Sequence, residues 1–188
     1  MTCDPPRHHR LSIRLPAYDY TWAGAYFITV VTDQRQCFLS EIADSRVSLT
    51  DYGEVIEQEW LRSTRIRREI QLDAFVVMPN HIHGIVIVGD SPGVGAHGRA
   101  PLPLHRPPRS LGSFVAGFKS SVTRRINDMR RAPGLPVWQR NYYEHVIRGE
   151  EELNATRQYI RDNPGKWLED PEKPVERVEE REAATEGP

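Results

Sequence analysis

Two short stretches of this 188-residue chain carry side chains that could do chemistry together. In PNHIHGIV, residues 79–86, two histidines stand one residue apart in an otherwise apolar run. A strand repeats its side-chain direction every second residue, so His81 and His83 share one face while Ile82 and Gly84 take the other. Two imidazoles side by side can hold a metal; imidazole suits Zn, Mn, Fe and Cu, whereas Mg favours oxygen. Two protein histidines would leave coordination positions open for water or substrate, which is the arrangement of a catalytic centre. The plainer alternative is a pair of imidazoles that only hydrogen-bond on a polar sheet face. A further ligand could come from Asn163, Asp162, Glu144, His145 or His97. In YIRDNP, residues 159–164, Tyr159 and Asn163 are four residues apart and so lie on one side of a helix. A tyrosine beside a metal-polarised phosphate is a candidate nucleophile, since phenolate can attack phosphorus and leave a covalent phosphotyrosine. Without the histidines, Tyr159 would read as a half-buried packing residue.

The elements that must position these residues can be read from periodicity. AYFITVVTD (25–33) is β-branched and aromatic and bounded by Gly24 and Asp33, a first strand. SLTDYGEVIEQEWLRST places Leu49, Tyr52, Val55, Ile56, Glu59 and Trp60 at mostly helical spacing, with Ser48 or Thr50 as N-cap. IQLDAFVVM (70–78) and HIHGIVIV (81–88) flank Pro79-Asn80, which predicts a tight hairpin between antiparallel strands. Residues 89–109 are dense in Gly and Pro and read as a flexible loop. SLGSFVAGFKSSVTRRINDMR (110–130) is an amphipathic helix with Ser110 as N-cap, VWQRNYYEHVI (137–147) a sheet-pairing segment, and the stretch from Glu150 a helix that stops near Asn163-Pro164-Gly165. The order strand, helix, two strands, helix, strand, helix predicts a ferredoxin-like α+β domain: one antiparallel sheet with helices packed on one face. Its bounds are a leader at 1–20, the domain at 21–168 and an acidic, solvated, disordered tail at 169–188.

The net charge of −1 conceals an uneven distribution. Arg62, Arg65, Arg67 and Arg68 form one basic cluster; Lys119, Arg124 and Arg125 lie on the open side of the 110–130 helix, and Arg140 follows. Such stripes attract a phosphate backbone, or form a solvated helix face. Two cysteines, Cys3 and Cys37, have no metal spacing and cannot build the disulfide framework of a small secreted protein; they read as free thiols. No apolar run is long enough for a membrane span, and the start lacks an apolar signal core, so a soluble cytoplasmic protein is the expectation.

Taken in order, VVMPNHIHGIV, VWQRNYYEHVIR and YIRDNPGKW resemble the HUH-type single-tyrosine transposases, specifically the bacterial REP-associated tyrosine transposase subgroup, over about residues 26–167. The resemblance implies a DNA endonuclease and strand transferase acting on single-stranded DNA beside small palindromic hairpins from repetitive elements. Carried over by position, His81 and His83 become the metal pair, Asn163 the third ligand to a divalent ion (Mg or Mn), and Tyr159 the nucleophile that forms a 5'-phosphotyrosine. The partner would be hairpin DNA, with no membrane and either one subunit or a homodimer at work. Tyr142 and Tyr143 could stack on bases, pack in the core or compete with Tyr159; Glu144 and His145 either shape the site or merely edge the strand. Loop 89–109 exceeds what the family pattern needs, and the acidic tail lies outside it. Two rival functions are a domesticated hairpin-binding protein that no longer cuts and a metal-independent two-histidine phosphoesterase, which would need a second histidine motif.

Overall fold

The computed structural model describes residues 23–89, 110–170 and 172. The leader at 1–20, the Gly/Pro-rich loop apart from Gly89, and the tail beyond Glu172 lie outside the described residues, and with them Cys3 and His97.

Among the described residues, six strands and three α-helices follow one another: β1 (Gly24–Val31), β2 (Ser40–Ala43), β3 (Arg46–Leu49), α1 (Asp51–Ile66), β4 (Ile70–Val77), β5 (His81–Val88), α2 (Leu111–Met129), β6 (Tyr143–Ile147) and α3 (Glu150–Asp162). The main sheet is antiparallel in the order β4-β5-β1-β6, the expected ferredoxin-like α+β plan. Local chemistry accounts for the boundaries. The Thr50 hydroxyl accepts from the Gly53 N–H and caps α1; Ser110 and Ser113 form a reciprocal capping box on α2. Pro79-Asn80 turns β4 into β5, with the Met78 N–H donating to the His81 carbonyl at 2.8 Å.

Period-2 alternation splits the sheet into two unlike faces. On one, Tyr26, Ile28, Val30, Ile82, Val86 and Val88 join the apolar sides of α1 and α2 in the main core. Trp60 stacks on Phe75 with centroids 4.4 Å apart and meets Phe114 and Phe118 edge-on. The other face holds a smaller cluster of Ile85, Ile147 and Ile160, bordered by Phe27, Val76, Ile87 and Leu153. Helices on a single face, as expected, describes α1 and α2; α3 packs through Ile160 on the opposite face. Its placement there has a physical reason: Ile85 and Ile87 make that face of β5 apolar too, and Ile160 is the apolar surface that covers it.

The hairpin β2–β3 was not anticipated. Its strands are four residues each, and Asp44 and Ser45 at its tip both take positive φ, 50° and 59°. That is the backbone of a type I′ turn without the Asn-Gly or Asp-Gly pair that signals one in sequence.

Gly84 shows why the histidine strand needs a glycine between its two faces. A Cβ built there would lie 2.6 Å from the buried Trp60 ring. Gly84→Ala is expected to destabilise the fold by about 1–3 kcal/mol, the usual range for overpacking a core, measured by urea denaturation; an unchanged midpoint would mean that Trp60 moves aside without cost.

Candidate metal and phosphate site

The register of β1 against β5 places Val31 opposite His81 and Thr29 opposite His83. Both imidazoles therefore project from the face covered by α3, away from the main core, and both are buried, at 0% and 3% exposure. Their Nε2 atoms are 3.0 Å apart. The Nδ1 of His81 is 2.8 Å from Asn80 Oδ1, and the Nδ1 of His83 is 2.9 Å from the Thr29 hydroxyl. Burial, aided by the positive charge of Arg35, pushes His81 from its ordinary 6.5 down to about 3; burial and the neighbouring His81 push His83 down to about 3, against the opposing charge of Asp170. Both rings are thus neutral at neutral pH and keep a lone pair each for a ligand bond.

A third group completes the cluster. Beyond α3, Asn163–Glu169 form a 3-10 turn with Pro164 at its start, and this turn delivers Asp170 to the histidines. Asp170 Oδ1 accepts from the Glu172 N–H at 2.7 Å, leaving Oδ2 3.7 Å from His81 Nε2. One ligand atom from each of His81, His83 and Asp170 lies within 4.8 Å of the others, so the three could hold a metal ion. Imidazole nitrogens with a carboxylate suit a divalent transition metal such as Mn.

The α3 helix carries Tyr159 across this cluster. Its hydroxyl is 3.5 Å from His83 Nε2, and Phe27 meets the Tyr159 ring edge-on at 5.8 Å. The helix is fixed to β4 by Arg157, whose guanidinium forks onto both Asp73 oxygens, with Nη2 2.6 Å from Oδ2. Partial burial raises the Tyr159 pKa, the charge of Asp170 raises it further, and the Asn163 side chain works the other way. These effects hold Tyr159 in its phenol form. Asn163 is buried, and its Oδ1 has no hydrogen-bond partner. An unpartnered carbonyl oxygen in such a place is itself a fit for a cation.

No model of a known protein family matches the sequence. An "Uncharacterized protein" of Haemophilus influenzae is 35% identical over 172 residues, covering 87% of this chain and 92% of its own length. A second protein of that organism, named "Putative REP-associated tyrosine transposase", is 22% identical over 156 residues, 79% of this chain and 74% of its own. Among solved structures, a REP-associated tyrosine transposase bound to a REP hairpin superposes with a TM-score of 0.57 at 21% identity, over 82% of this chain and 74% of that one. The chain is thus similar to REP-associated tyrosine transposases, in sequence to the second of these relatives and in fold to the solved one.

Set against the residues that the family resemblance singled out, the structure brings His81, His83 and Tyr159 together and puts Asn163 on the Tyr159 side of α3. Other candidate ligands point elsewhere. Asp162 accepts from Gln158, His145 pairs with Glu152 at 2.6 Å, and Glu144, opposite Ile28 in the ladder, turns to the main-core face. Tyr142 packs against the main core, whereas Tyr143 is half exposed on the histidine face with its ring edge towards Phe27. Of the basic residues, Arg67 donates to the Ser113 hydroxyl and carbonyl, Arg125 bridges Glu59 and Gln58, and Lys119 donates to the carbonyls of Gln139, Arg140 and Asn141. Arg62 leans on Glu59 at 3.4 Å, while Arg65, Arg68, Arg124 and Arg140 are exposed.

Sequence reasoning missed Asp170, Asn80, Thr29 and Arg35. A domain limit at residue 168 assigns Asp170 and Glu172 to a solvated acidic tail, but the site claims both. Asp170 faces His81, and Glu172 pairs with Arg35 at 3.2 Å while its carbonyl accepts from Asn80. The available signal was Trp167, an aromatic just before the acids, whose ring lies 6.1 Å from His81. Among the described residues no helix is long and apolar enough to cross a membrane.

The depressed histidines make an acid-sensitive apoprotein. The unfolded chain binds protons at 6.5 and the native state near 3, so between these values the unfolded state holds more protons and stability falls as pH falls. Urea midpoints in a chelator should therefore drop between pH 7 and pH 5, and the drop should shrink in His83→Gln; equal slopes for the two proteins would refute the burial effect.

Proposed function

We propose that this protein is a divalent-metal-dependent single-stranded DNA endonuclease and strand transferase that acts beside short palindromic hairpins. The observation that carries the reading is the convergence on one sheet face of two neutral buried imidazoles and a tyrosine hydroxyl 3.5 Å from one of them. Residues that only pack would not bring so many polar atoms together out of solvent.

In this reading His81, His83, Asn163 and Asp170 would hold the ion. Bound Mg or Mn would supply positive charge for the phosphoryl oxygens of the scissile linkage and offset the negative field that Asp170 casts on Tyr159. Tyr159 Oη attacks phosphorus, its proton passing to water; the Oη–P bond forms as the bond from phosphorus to the 3' oxygen breaks, and that oxygen takes up a proton to leave as a 3'-OH. The 5'-phosphotyrosine keeps a phosphodiester's bond energy, so a 3'-OH can attack it in reverse and rejoin strands without a nucleotide cofactor. Phe27 and the Asp73–Arg157 clasp position the nucleophile, and half-exposed Tyr143 offers a ring on which an unpaired base stacks.

The hairpin binds through exposed cations. Arg124 and Arg140 border a cleft of about 560 Å3 between α2 and residues 133–140. The floor of that cleft reaches the histidines by backbone, since the Gln139 N–H donates to Val31, the residue opposite His81. Arg62 and Arg65 on α1 and Arg68 just past its end extend the basic surface, while Arg67, Arg125 and Lys119 shape it through the staples they already make. The related transposase solved with a REP hairpin supports DNA of this class as the partner.

Incubation with Mn or Mg and labelled hairpin DNA from repeats flanking the gene should yield a covalent protein–DNA adduct on a denaturing gel. Tyr159→Phe should lose it by at least a hundredfold, in the range typical of removing the attacking group; adduct persisting in that variant would reassign the nucleophile, and tight binding without adduct in either metal would leave a hairpin-binding protein. Because Tyr159 reaches His83 of its own chain, a mixture of His81→Ala and Tyr159→Phe proteins should remain inactive. Restored cleavage in the mixture would instead require active sites shared between subunits.

A further inference from the structure

The two imidazoles are held at their far nitrogens by partners of different chemical kind. Asn80 is fully buried, and one of its side-chain atoms lies against two carbonyls, that of Arg35 at 3.2 Å and that of Glu172 at 2.6 Å. Carbonyls only accept, so this atom is the amide nitrogen and the other is the oxygen. The atom 2.8 Å from His81 Nδ1 can then only accept, which requires the His81 proton on Nδ1 and leaves the lone pair on Nε2. Thr29 differs. Its hydroxyl, 2.9 Å from His83 Nδ1, can donate or accept by rotating.

The 3.0 Å between the two Nε2 atoms adds a constraint. With His81 fixed, His83 satisfies the pair in the absence of metal only by carrying its proton on Nε2 and donating it to His81, while Thr29 donates to Nδ1. A cation at the pair needs the reverse, with Nε2 bare and Nδ1 protonated. Resting on the reading of His81 and His83 as metal ligands, we propose that Asn80 and Thr29 are positioning residues of unequal kind: Asn80 locks His81 in one tautomer, whereas Thr29 lets His83 change tautomer as metal enters. The change moves one proton from Nε2 to Nδ1 through solvent, with no net uptake or release, and the Thr29 hydroxyl turns from donor to acceptor. No buried polar atom loses its partner in either state, so the site can open for an ion without leaving an unpaired imidazole.

Long-range 1H–15N NMR of histidine-labelled full-length protein reads these tautomers directly. In chelator, His81 should show its proton on Nδ1 and His83 on Nε2; with Zn2+, a diamagnetic probe, His81 should be unchanged and His83 should invert. His81 protonated on Nε2, or His83 unmoved by bound Zn2+, would overturn the proposal. No binding of Zn2+ or Mn2+ would remove the metal reading and the His83 inversion with it, while the His81 assignment would still be scored in chelator. Variants separate positioning from mere support. Asn80→Asp keeps an acceptor for His81 but loses both carbonyl contacts; Asn80→Ala loses everything. Mn2+ affinity by electron paramagnetic resonance should fall about ten- to a hundredfold in Asn80→Ala and less in Asn80→Asp, and Thr29→Ser should retain what Thr29→Val loses. Equal losses in the two Asn80 variants, with His81 on Nδ1 in both, would show a structural clamp and no tautomer lock.

Discussion

The pairing of β1 with β5 is the constraint from which the site descends. Eight residues of each strand lie in register without a bulge, from Gly24 opposite Val88 to Val31 opposite His81. Because the side-chain period is two, slipping this ladder by one residue would turn His81 and His83 into the α1–α2 core and expel Ile82 and Val86. The main core forbids that. Trp60 occupies the space over Gly84, where an added Cβ would lie 2.6 Å from its ring, and His83 next to it, with His81 two residues before that, must face the other way. Packing on one face of the sheet thus sets the chemistry on the other.

The second face is where α3 matters. Ile160 seals the small cluster around Ile85 and Ile147, and Arg157 reaches Asp73 where β4 departs from regular register between Leu72 and Phe75. The irregularity falls at Asp73 and Ala74, so a carboxylate is available at the sheet edge just where the helix needs an anchor. Burial alone would fix the depth of α3 but not its position along the sheet. The forked ion pair fixes that position, and with it the distance from Tyr159 to His83.

Much of this was legible in the sequence because periodicity and punctuation agree. The two strands of the Pro79-Asn80 hairpin, the Thr50 and Ser110 caps and the sharing of a face by His81 and His83 all follow from local rules. What was not legible depended on distance or on missing signals. The β2–β3 hairpin turns through Asp44-Ser45 without glycine. The side of the sheet taken by α3 could not be chosen, because both faces of β5 carry isoleucine. Asp170 lies 87 residues from His83 within a run of acids, so composition assigned it to solvent although its backbone is drawn in by the turn after Pro164. The basic residues show the reverse error: charge counting treats Arg67, Arg125 and Lys119 as one kind with Arg124 and Arg140, yet the first three spend their hydrogen bonds inside the fold.

The histidine cluster is costly by the standards of a protein interior. Two imidazoles, an asparagine, a threonine and a carboxylate are withdrawn from water on a face where aliphatic side chains of similar size would pack with less penalty. Each imidazole is prevented from charging, Asp170 keeps one oxygen turned towards His81, and Asn163 keeps an unpartnered carbonyl oxygen. Nearby elements hold the arrangement against relaxation, since Asn80 ties the β1–β2 connection and the Glu172 backbone to the same histidine. Local choices that oppose stability while being rigidly supported mark a functional site. The negative charge of Asp170 stands where His81, His83 and Asp170 converge, and the Tyr159 hydroxyl approaches that same point, which is why that charge raises its pKa.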